Sequence, residues 1–184
     1  MKNESKRKEM MIYLDMDGVL ADFFKGLEDK YEVNHWKDIP NIESALDSLK
    51  NTDFFYKLET FKEVINGHQI SKTSQIIKFV KELCGTNWGI CSSPLRGDEY
   101  NSAYHKRRWL EKYGYSPLSQ NIIFTANKHK YAVSPVDGKP NILVDDKPSN
   151  IARWVEAGGI GIPFQANEND LDDYLFPLLE ANYK

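Results

Sequence analysis

The sequence contains few cysteines, no long apolar run and no excess of positive charge. Its two cysteines, Cys84 and Cys91, form neither a CxxC motif nor a disulfide framework, so a reducing compartment is expected. No stretch approaches the roughly 18 apolar residues of a membrane-spanning helix. The net charge of −3 argues against a dedicated binder of nucleic acid or of anionic membranes. We therefore expect a cytoplasmic protein without a membrane partner and without a stable nucleic-acid partner.

The length and composition are those of one globular domain with room for a small insertion. The chain has 184 residues, of which 41% are hydrophobic and 28% are charged. The first nine residues, MKNESKRKE, are mostly charged and lack the apolar segment of a signal peptide. This pattern predicts a flexible tail over residues 1–9.

Apolar runs that alternate with helical patterns predict a parallel α/β sheet. Five short runs, bounded by polar or turn residues, have the length of strands: 10–15, 87–93, 121–126, 141–146 and 159–164. The last run contains Gly and Pro, which favours the edge of a sheet. Helical patterns cover four further segments: 71–84, 102–113, 148–157 and 170–182. Such alternation is typical of a doubly wound sheet with helices on both faces.

The interval after the first strand is too long for a simple crossover. About 70 residues separate the first two predicted strands, whereas a βαβ unit needs about 30 in total. The surplus is rich in aromatic residues, so we predict a small, mostly helical cap over residues 22–79. Residues 10–21 and 80–184 then form the core domain.

Polar residues follow four of the predicted strands, and in a parallel sheet such strand ends meet at one edge, where ligands bind. They are Asp15 and Asp17, Ser92 and Ser93, Thr125 to Lys128, and Asp145 and Asp146. Carboxylates from separate strands form the oxygen site that Mg²⁺ prefers, and the cation offsets their mutual repulsion. Hydroxyl groups and a lysine beside them can bind phosphate. One aspartate can then act as a nucleophile and a second as acid and base.

Several of these residues also have a purely structural interpretation. The Asp145–Asp146 pair could cap the helix that begins near Pro148, and Ser-Ser-Pro is common in loops. The string DMDG is similar to half of an EF-hand loop, but Val19 and Gly26 occupy positions where that loop needs ligands. The four histidines are scattered and form no metal-binding pair.

The helix predicted before the third strand carries an independent indication. At about 100° per residue, its apolar stripe consists of Ala103, Trp109, Leu110 and Tyr113, and Lys106 lies near the middle of that stripe. A lysine in a buried stripe either extends its ammonium group to solvent or binds an anion. The spacing alone leaves both interpretations open.

Four strings in this order carry a resemblance to a known superfamily. DMDGVLADF, SSP, TANK and ILVDD resemble the four motifs of the haloacid dehalogenase (HAD) superfamily, and the aspartate at position 17 is typical of its phosphotransferases. The first two strings and the helix that contains Trp109 are similar to those of the 5'(3')-deoxyribonucleotidases. The resemblance implies a Rossmann-like HAD core with a cap inserted after the first strand.

The resemblance also implies a role for each matched residue. Asp15 is the nucleophile and a Mg²⁺ ligand, while Asp17 is the acid and base and gives the metal its backbone carbonyl. Asp145 and Asp146 form the acidic pair of the metal site, and either could contact the ion. The residues implied for phosphate and substrate binding are Ser92, Ser93, Lys106, Lys128 and Phe23, with Phe23 against the nucleotide base.

The activity implied is Mg²⁺-dependent release of phosphate from deoxyribonucleoside monophosphates through an aspartyl-phosphate. The expected partner is therefore a small-molecule nucleotide. Because members of this family often dimerise, a homodimer is compatible with the resemblance. Two alternatives remain: a HAD phosphatase of another small metabolite or of nucleic-acid ends, and a catalytically silent HAD-like binding module.

The chain departs from the family pattern where the family reads its substrate. Ala126 and Asn127 replace an arginine and an acidic residue of the third motif, and Leu49 replaces a base-stacking aromatic residue. Trp36 could supply a substitute ring. The chain is also longer than the family pattern over residues 59–74. These departures leave the chemistry intact and affect the choice of substrate.

Overall fold

The computed structural model describes residues 10–184, so the tail predicted over residues 1–9 lies outside the described residues. The regular elements follow one another as β1 (Ile12–Leu14), α1 (Phe23–Tyr31), a 3-10 turn (Trp36–Asp38), α2 (Ile42–Asp47), α3 (Phe54–Lys57), β2 (Lys62–Ile65), β3 (His68–Ser71), α4 (Lys72–Cys84), β4 (Trp88–Ser92), α5 (Glu99–Tyr113), a 3-10 turn (Ser119–Asn121), β5 (Ile122–Phe124), a 3-10 turn (Lys128–Tyr131), β6 (Ile142–Asp145), α6 (Pro148–Glu156), β7 (Ile160–Pro163), a π-helical turn (Leu171–Leu175) and α7 (Phe176–Asn182).

Five of the strands form one sheet in the order β5–β4–β1–β6–β7, and every pairing in it is parallel. The predicted α/β parallel sheet is thus confirmed. β7 lies at an edge of the sheet, so its Gly and Pro residues pair with one neighbouring strand, β6. β1 is central, and Leu14 pairs with both Ile90 and Val144. The residues that follow β1 therefore emerge between the ends of β4 and β6.

Helices cover both faces of the sheet, as expected for a doubly wound fold. On one face, α4, α5 and α7 bury Ile76, Trp109 and Leu179 in the main core. On the other face, α6 buries Trp154 against Tyr13 and Leu143. Both tryptophans are fully buried, and their indole N–H groups donate to backbone carbonyls, so neither leaves a polar atom unpaired.

The segment predicted as a cap contains three short helices and a hairpin. Four buried residues give it a small core of its own: Leu27, Ile39, Ala45 and Leu49. The hairpin β2–β3 was not predicted, although its Asn66–Gly67 turn, with φ of 50° and 78°, carries the usual signal for such a turn. The predicted boundary at residue 80 falls inside α4, whose side chains pack on the sheet.

None of the helices within residues 10–184 is long and apolar enough to cross a membrane.

Asp98 connects the cap segment to the N-terminus of α5. Its carboxylate is 8% exposed and accepts hydrogen bonds from the backbone N–H of Asn51 at 3.1 Å and from the side chain of Asn101 at 2.9 Å. The same Asn101 amide donates to the carbonyl of Thr52 at 3.0 Å. The loop after α2 is therefore fixed to the helix that carries Lys106.

We expect Asp98→Ala to lower the free energy of unfolding by about 1–3 kcal/mol, because it removes the charged acceptor of two part-buried hydrogen bonds. Urea unfolding of the variant measures this loss. Glu111→Ala, an exposed position on the same helix, is the matched control and should change little. Equal stabilities for the two variants would show that Asp98 does not hold the segment.

Candidate active site

Three carboxyl groups meet where β1 and β6 end. The backbone N–H of Asp15 donates to the carbonyl of Val144 at 2.9 Å, which places Asp15 beside the last residues of β6. Carboxylate oxygens of Asp15, Asp145 and Asp146 all lie within 4.8 Å of one another. The structure thus brings together three of the four predicted acidic residues, and two of them are buried.

Lys128 lies against this cluster from the 3-10 turn after β5. Its ammonium nitrogen is 3.0 Å from Asp15 Oδ1 and 2.6 Å from Asp145 Oδ2, and its side chain is 2% exposed. Burial alone would lower the pKa of Lys128, but the two carboxylates raise it above its usual value. Lys128 is therefore a permanent positive charge at the centre of the site.

The two neighbouring aspartates at the end of β6, Asp145 and Asp146, differ in their surroundings. Asp145 accepts hydrogen bonds from Lys128, from the backbone N–H of Lys147 at 2.9 Å and from the side chain of Asn150. Burial and the charge of Asp15 raise the pKa of Asp145 to about 6 and that of Asp146 to about 8. Asp146 lies directly against Gly18, where any Cβ atom would collide with its carboxylate. Asp145 is thus held by protein donors, whereas Asp146 is the carboxylate that most lacks positive charge.

Asp17 and Lys106 form a second, adjoining pair. The ammonium nitrogen of Lys106 is 2.7 Å from Asp17 Oδ2 and also donates to Ser92 Oγ at 3.1 Å and to the carbonyl of Ser93 at 2.8 Å. Lys106 is 1% exposed, so of the two interpretations left open by the helix pattern, the one in which it binds an anion is correct. The lysine links β1, β4 and α5.

Asp17 itself is only half paired. Its Oδ1 is buried and has no hydrogen-bond partner, while burial raises the pKa of the carboxyl group against the opposing effect of Lys106. A buried oxygen without a partner is costly, so it is expected to face a ligand in the working protein.

An aromatic group of the cap segment lies beside Lys106. Phe55 places its ring centroid 4.8 Å from the ammonium nitrogen and stacks on Phe23 with a centroid distance of 6.2 Å. Phe54 contacts both rings edge-on. Sequence reasoning named Phe23 but missed Phe55, whose only local signal was the aromatic pair at the start of α3. Phe55 thus contacts both Phe23, the predicted base-binding residue, and Lys106, a candidate for phosphate binding.

The other aromatic expectations can also be placed. Leu49 is fully buried in the core of the cap segment, so it does not face the site. The rings of Trp36 and Phe24 have their centroids 5.6 Å apart, and Trp36 packs on the same small core.

The donor set fits a divalent cation bound by oxygen ligands. Within residues 10–184, the carboxyl groups of Asp15, Asp17 and Asp145 form ion pairs with two ammonium groups, those of Lys106 and Lys128, and Asp146 adds a fourth carboxyl group beside Asp15 and Asp145. Asp17 Oδ1 is unpaired and Asp146 holds a raised pKa, and both observations indicate missing positive charge. A divalent cation such as Mg²⁺ would supply that charge, and it prefers such oxygen ligands.

Comparison with known proteins places the chain among phosphatases. No family model matches the sequence. A mitochondrial 5'(3')-deoxyribonucleotidase from mouse is 24% identical over 169 residues, which are 80% of this chain and 69% of that protein. A Bordetella pertussis protein, provisionally named a 5'(3')-deoxyribonucleotidase, is 30% identical over 151 residues, which are 76% of this chain and 75% of that protein.

A solved HAD family enzyme from Bacteroides thetaiotaomicron, a magnesium complex, matches 91% of this chain and 98% of its own with a TM-score of 0.44 and 12% identity. The two sequence relatives extend over 80% and 76% of this chain, respectively. The chain belongs to the 5'(3')-deoxyribonucleotidase family.

Proposed function

We propose that the protein is a Mg²⁺-dependent phosphatase that releases phosphate from deoxyribonucleoside monophosphates. The observation that carries this proposal is the arrangement at the strand ends, where Asp15 pairs with the buried Lys128 and Asp17 pairs with the buried Lys106. An aromatic group that can receive a base lies against Lys106. The family relatives support the same substrate class through their names.

In the proposed reaction, Asp15 and Asp17 divide the work. A carboxylate oxygen of Asp15 attacks phosphorus, and the bond between phosphorus and the ester oxygen breaks as Asp17 donates a proton to that oxygen. The nucleoside leaves and an aspartyl-phosphate remains. Asp17 then takes a proton from water, whose oxygen attacks phosphorus and returns Asp15 to its carboxylate form. The raised pKa of Asp17 suits a group that must carry a proton.

Lys106, Lys128 and Ser92 are proposed to bind the phosphoryl oxygens. Lys106 and Lys128 already contact the two catalytic carboxylates, and Ser92 Oγ accepts from Lys106, so a phosphate placed there exchanges carboxylate contacts for its own. Balancing the charge of the transferring group is the main task in phosphoryl transfer. Ser93 contributes its backbone, because its carbonyl holds Lys106 in place.

For the metal, we propose Asp15, Asp146 and the backbone carbonyl of Asp17 as the protein ligands. Asp145 is already occupied by Lys128, Lys147 and Asn150, so we assign it to positioning Lys128. A bound Mg²⁺ supplies positive charge that lowers the repulsion between Asp15 and an approaching phosphate.

Phe23 and Phe55 are proposed to contact the nucleotide base. Stacking of a base on an aromatic ring contributes about 1–3 kcal/mol, so Phe23→Leu should raise KM for a deoxynucleotide about tenfold. Turnover of glycerol 2-phosphate, which has no ring, should stay unchanged. Phe79→Leu, which alters a ring stacked on Phe176 of α7, is the control. An equal loss of activity on both substrates would show that Phe23 does not contact the base.

Phosphate release from a panel of phosphomonoesters tests the proposed function. The panel contains nucleoside 5'- and 3'-monophosphates in deoxy and ribo forms together with sugar phosphates, each measured with Mg²⁺ and with a chelator. We expect Mg²⁺-dependent release with a preference for deoxynucleotides. Release confined to sugar phosphates would overturn the substrate class, and release that persists in chelator would overturn the metal.

A further inference from the structure

The side chain of Lys72 binds the loop that follows β7, which lies 94 to 97 residues later in the sequence. Lys72 is the first residue of α4 and follows the hairpin β2–β3, in the stretch by which the chain exceeds the family pattern. Its ammonium nitrogen donates to the carbonyl oxygens of Ala166 and Asn169, each at 2.6 Å. Hydrogen bonds from a charged donor are stronger than neutral ones. The loop after β7 is thus held by two charge-assisted bonds from one side chain.

The same loop contacts the turn that follows β1. The backbone N–H of Ala166 donates to the carbonyl of Gly18 at 2.9 Å, and the N–H of Gly18 donates to the carbonyl of Ala21 at 3.0 Å. Gly18 has a φ of 82° and lies against the carboxylate of Asp146 without room for a Cβ atom. Ala166 is therefore hydrogen-bonded to Gly18, which follows Asp17 in the chain and contacts the carboxylate of Asp146.

Thr73, the next residue of α4, holds a second point of that turn. Its hydroxyl group is fully buried and donates to the carbonyl of Leu20 at 2.7 Å, while it accepts from the N–H of Phe61 at 3.0 Å. The N-terminus of α4 thus fixes the turn directly at Leu20 and, through Ala166, at Gly18.

We infer that Lys72 is a positioning residue for the metal site, acting through Ala166 and Gly18 on the spacing of Asp17 and Asp146. This inference rests on the proposed function, because it assigns a purpose to the same site. Without the ammonium group, the loop after β7 loses two hydrogen bonds and Gly18 loses its fixed partner. The carboxylate of Asp146 and the carbonyl of Asp17 then no longer keep one arrangement before the ion binds.

Lys72→Met tests the inference, because Met keeps the unbranched stem and removes the donors. Calorimetry with Mg²⁺ alone should show a dissociation constant raised about tenfold, as is usual when a group that orients metal ligands is lost. Hydrogen exchange of the metal-free protein should be faster at the amides of Gly18 and Ala166. Lys72→Arg should restore part of both effects. Lys78→Met, at an exposed position on the same helix, should show neither effect.

Wild-type Mg²⁺ affinity, or wild-type exchange at Gly18 and Ala166, would each overturn the inference, even if Lys72→Met unfolds at a lower temperature. Neither Mg²⁺ binding nor hydrogen exchange requires a substrate. A wild-type protein that binds Mg²⁺ and releases no phosphate would therefore refute the proposed function and leave these two measurements to decide the role of Lys72.

Discussion

Asp15→Asn is expected to lower kcat at least about 1,000-fold, as is typical when a nucleophile that forms a covalent intermediate is removed. An amide in this position cannot attack phosphorus, and Asp145, the other carboxylate in contact with Lys128, is held by hydrogen bonds from Lys147 and Asn150. Phosphate release from a deoxynucleotide at saturating Mg²⁺ measures the effect.

The fold should survive this change. The Asp15 carboxylate lies near those of Asp145 and Asp146, so removing its charge reduces repulsion within the cluster, and Lys128 keeps Asp145 as a partner. Urea unfolding should therefore give a stability no lower than that of the wild type. Asp29→Asn, an exposed aspartate paired with Lys25 on α1, is the control for activity. Near-wild-type release by Asp15→Asn would contradict its role as the nucleophile.

Lys128→Met should have the largest effect on stability, a loss of about 3–5 kcal/mol when divalent ions are absent. The substitution leaves the buried carboxylates of Asp15 and Asp145 without the cation that lies 3.0 Å and 2.6 Å from them. Urea unfolding in chelator measures this loss. Lys130→Met, an exposed lysine in the same turn, should be close to neutral.

Mg²⁺ should stabilise Lys128→Met more than it stabilises the wild type. An ion that binds only the folded state raises the free energy of unfolding by an amount that grows with the logarithm of its affinity, and the variant offers a more negative cluster. Repeating the unfolding curves with Mg²⁺ measures the difference. If the ion stabilised both proteins equally, or neither, the carboxyl groups around Lys128 would not be its ligands.

The sheet and the helices that cover it could be predicted because their patterns are local. Apolar runs of strand length and a helical stripe are visible within about ten residues, and they also placed Lys106 on a buried face. The hairpin β2–β3 was missed because its residues are mostly exposed, so no clear apolar alternation marks it, although the Asn66–Gly67 signal was present.

The contacts that assemble the site could not be predicted from these patterns. Lys106 meets Asp17 across 89 positions of the sequence, and Lys72 meets Ala166 across 94. Such pairs depend on how the helices pack, which no local pattern encodes. The contact between the Phe55 ring and the ammonium group of Lys106 depends on this packing as well. The strand-end pattern identified the acidic residues and the motif resemblance gave them roles, whereas only the structure distinguishes the surroundings of Asp145 from those of Asp146.

Binding of beryllium fluoride, which mimics a phosphoryl group on an aspartate, tests the central claim most directly. Fluorine NMR of the wild-type protein should show a bound species that requires Mg²⁺, and Asp15→Asn should show none. A bound signal that survives Asp15→Asn or the removal of Mg²⁺ would contradict the claim, as would the absence of any bound species in the wild type.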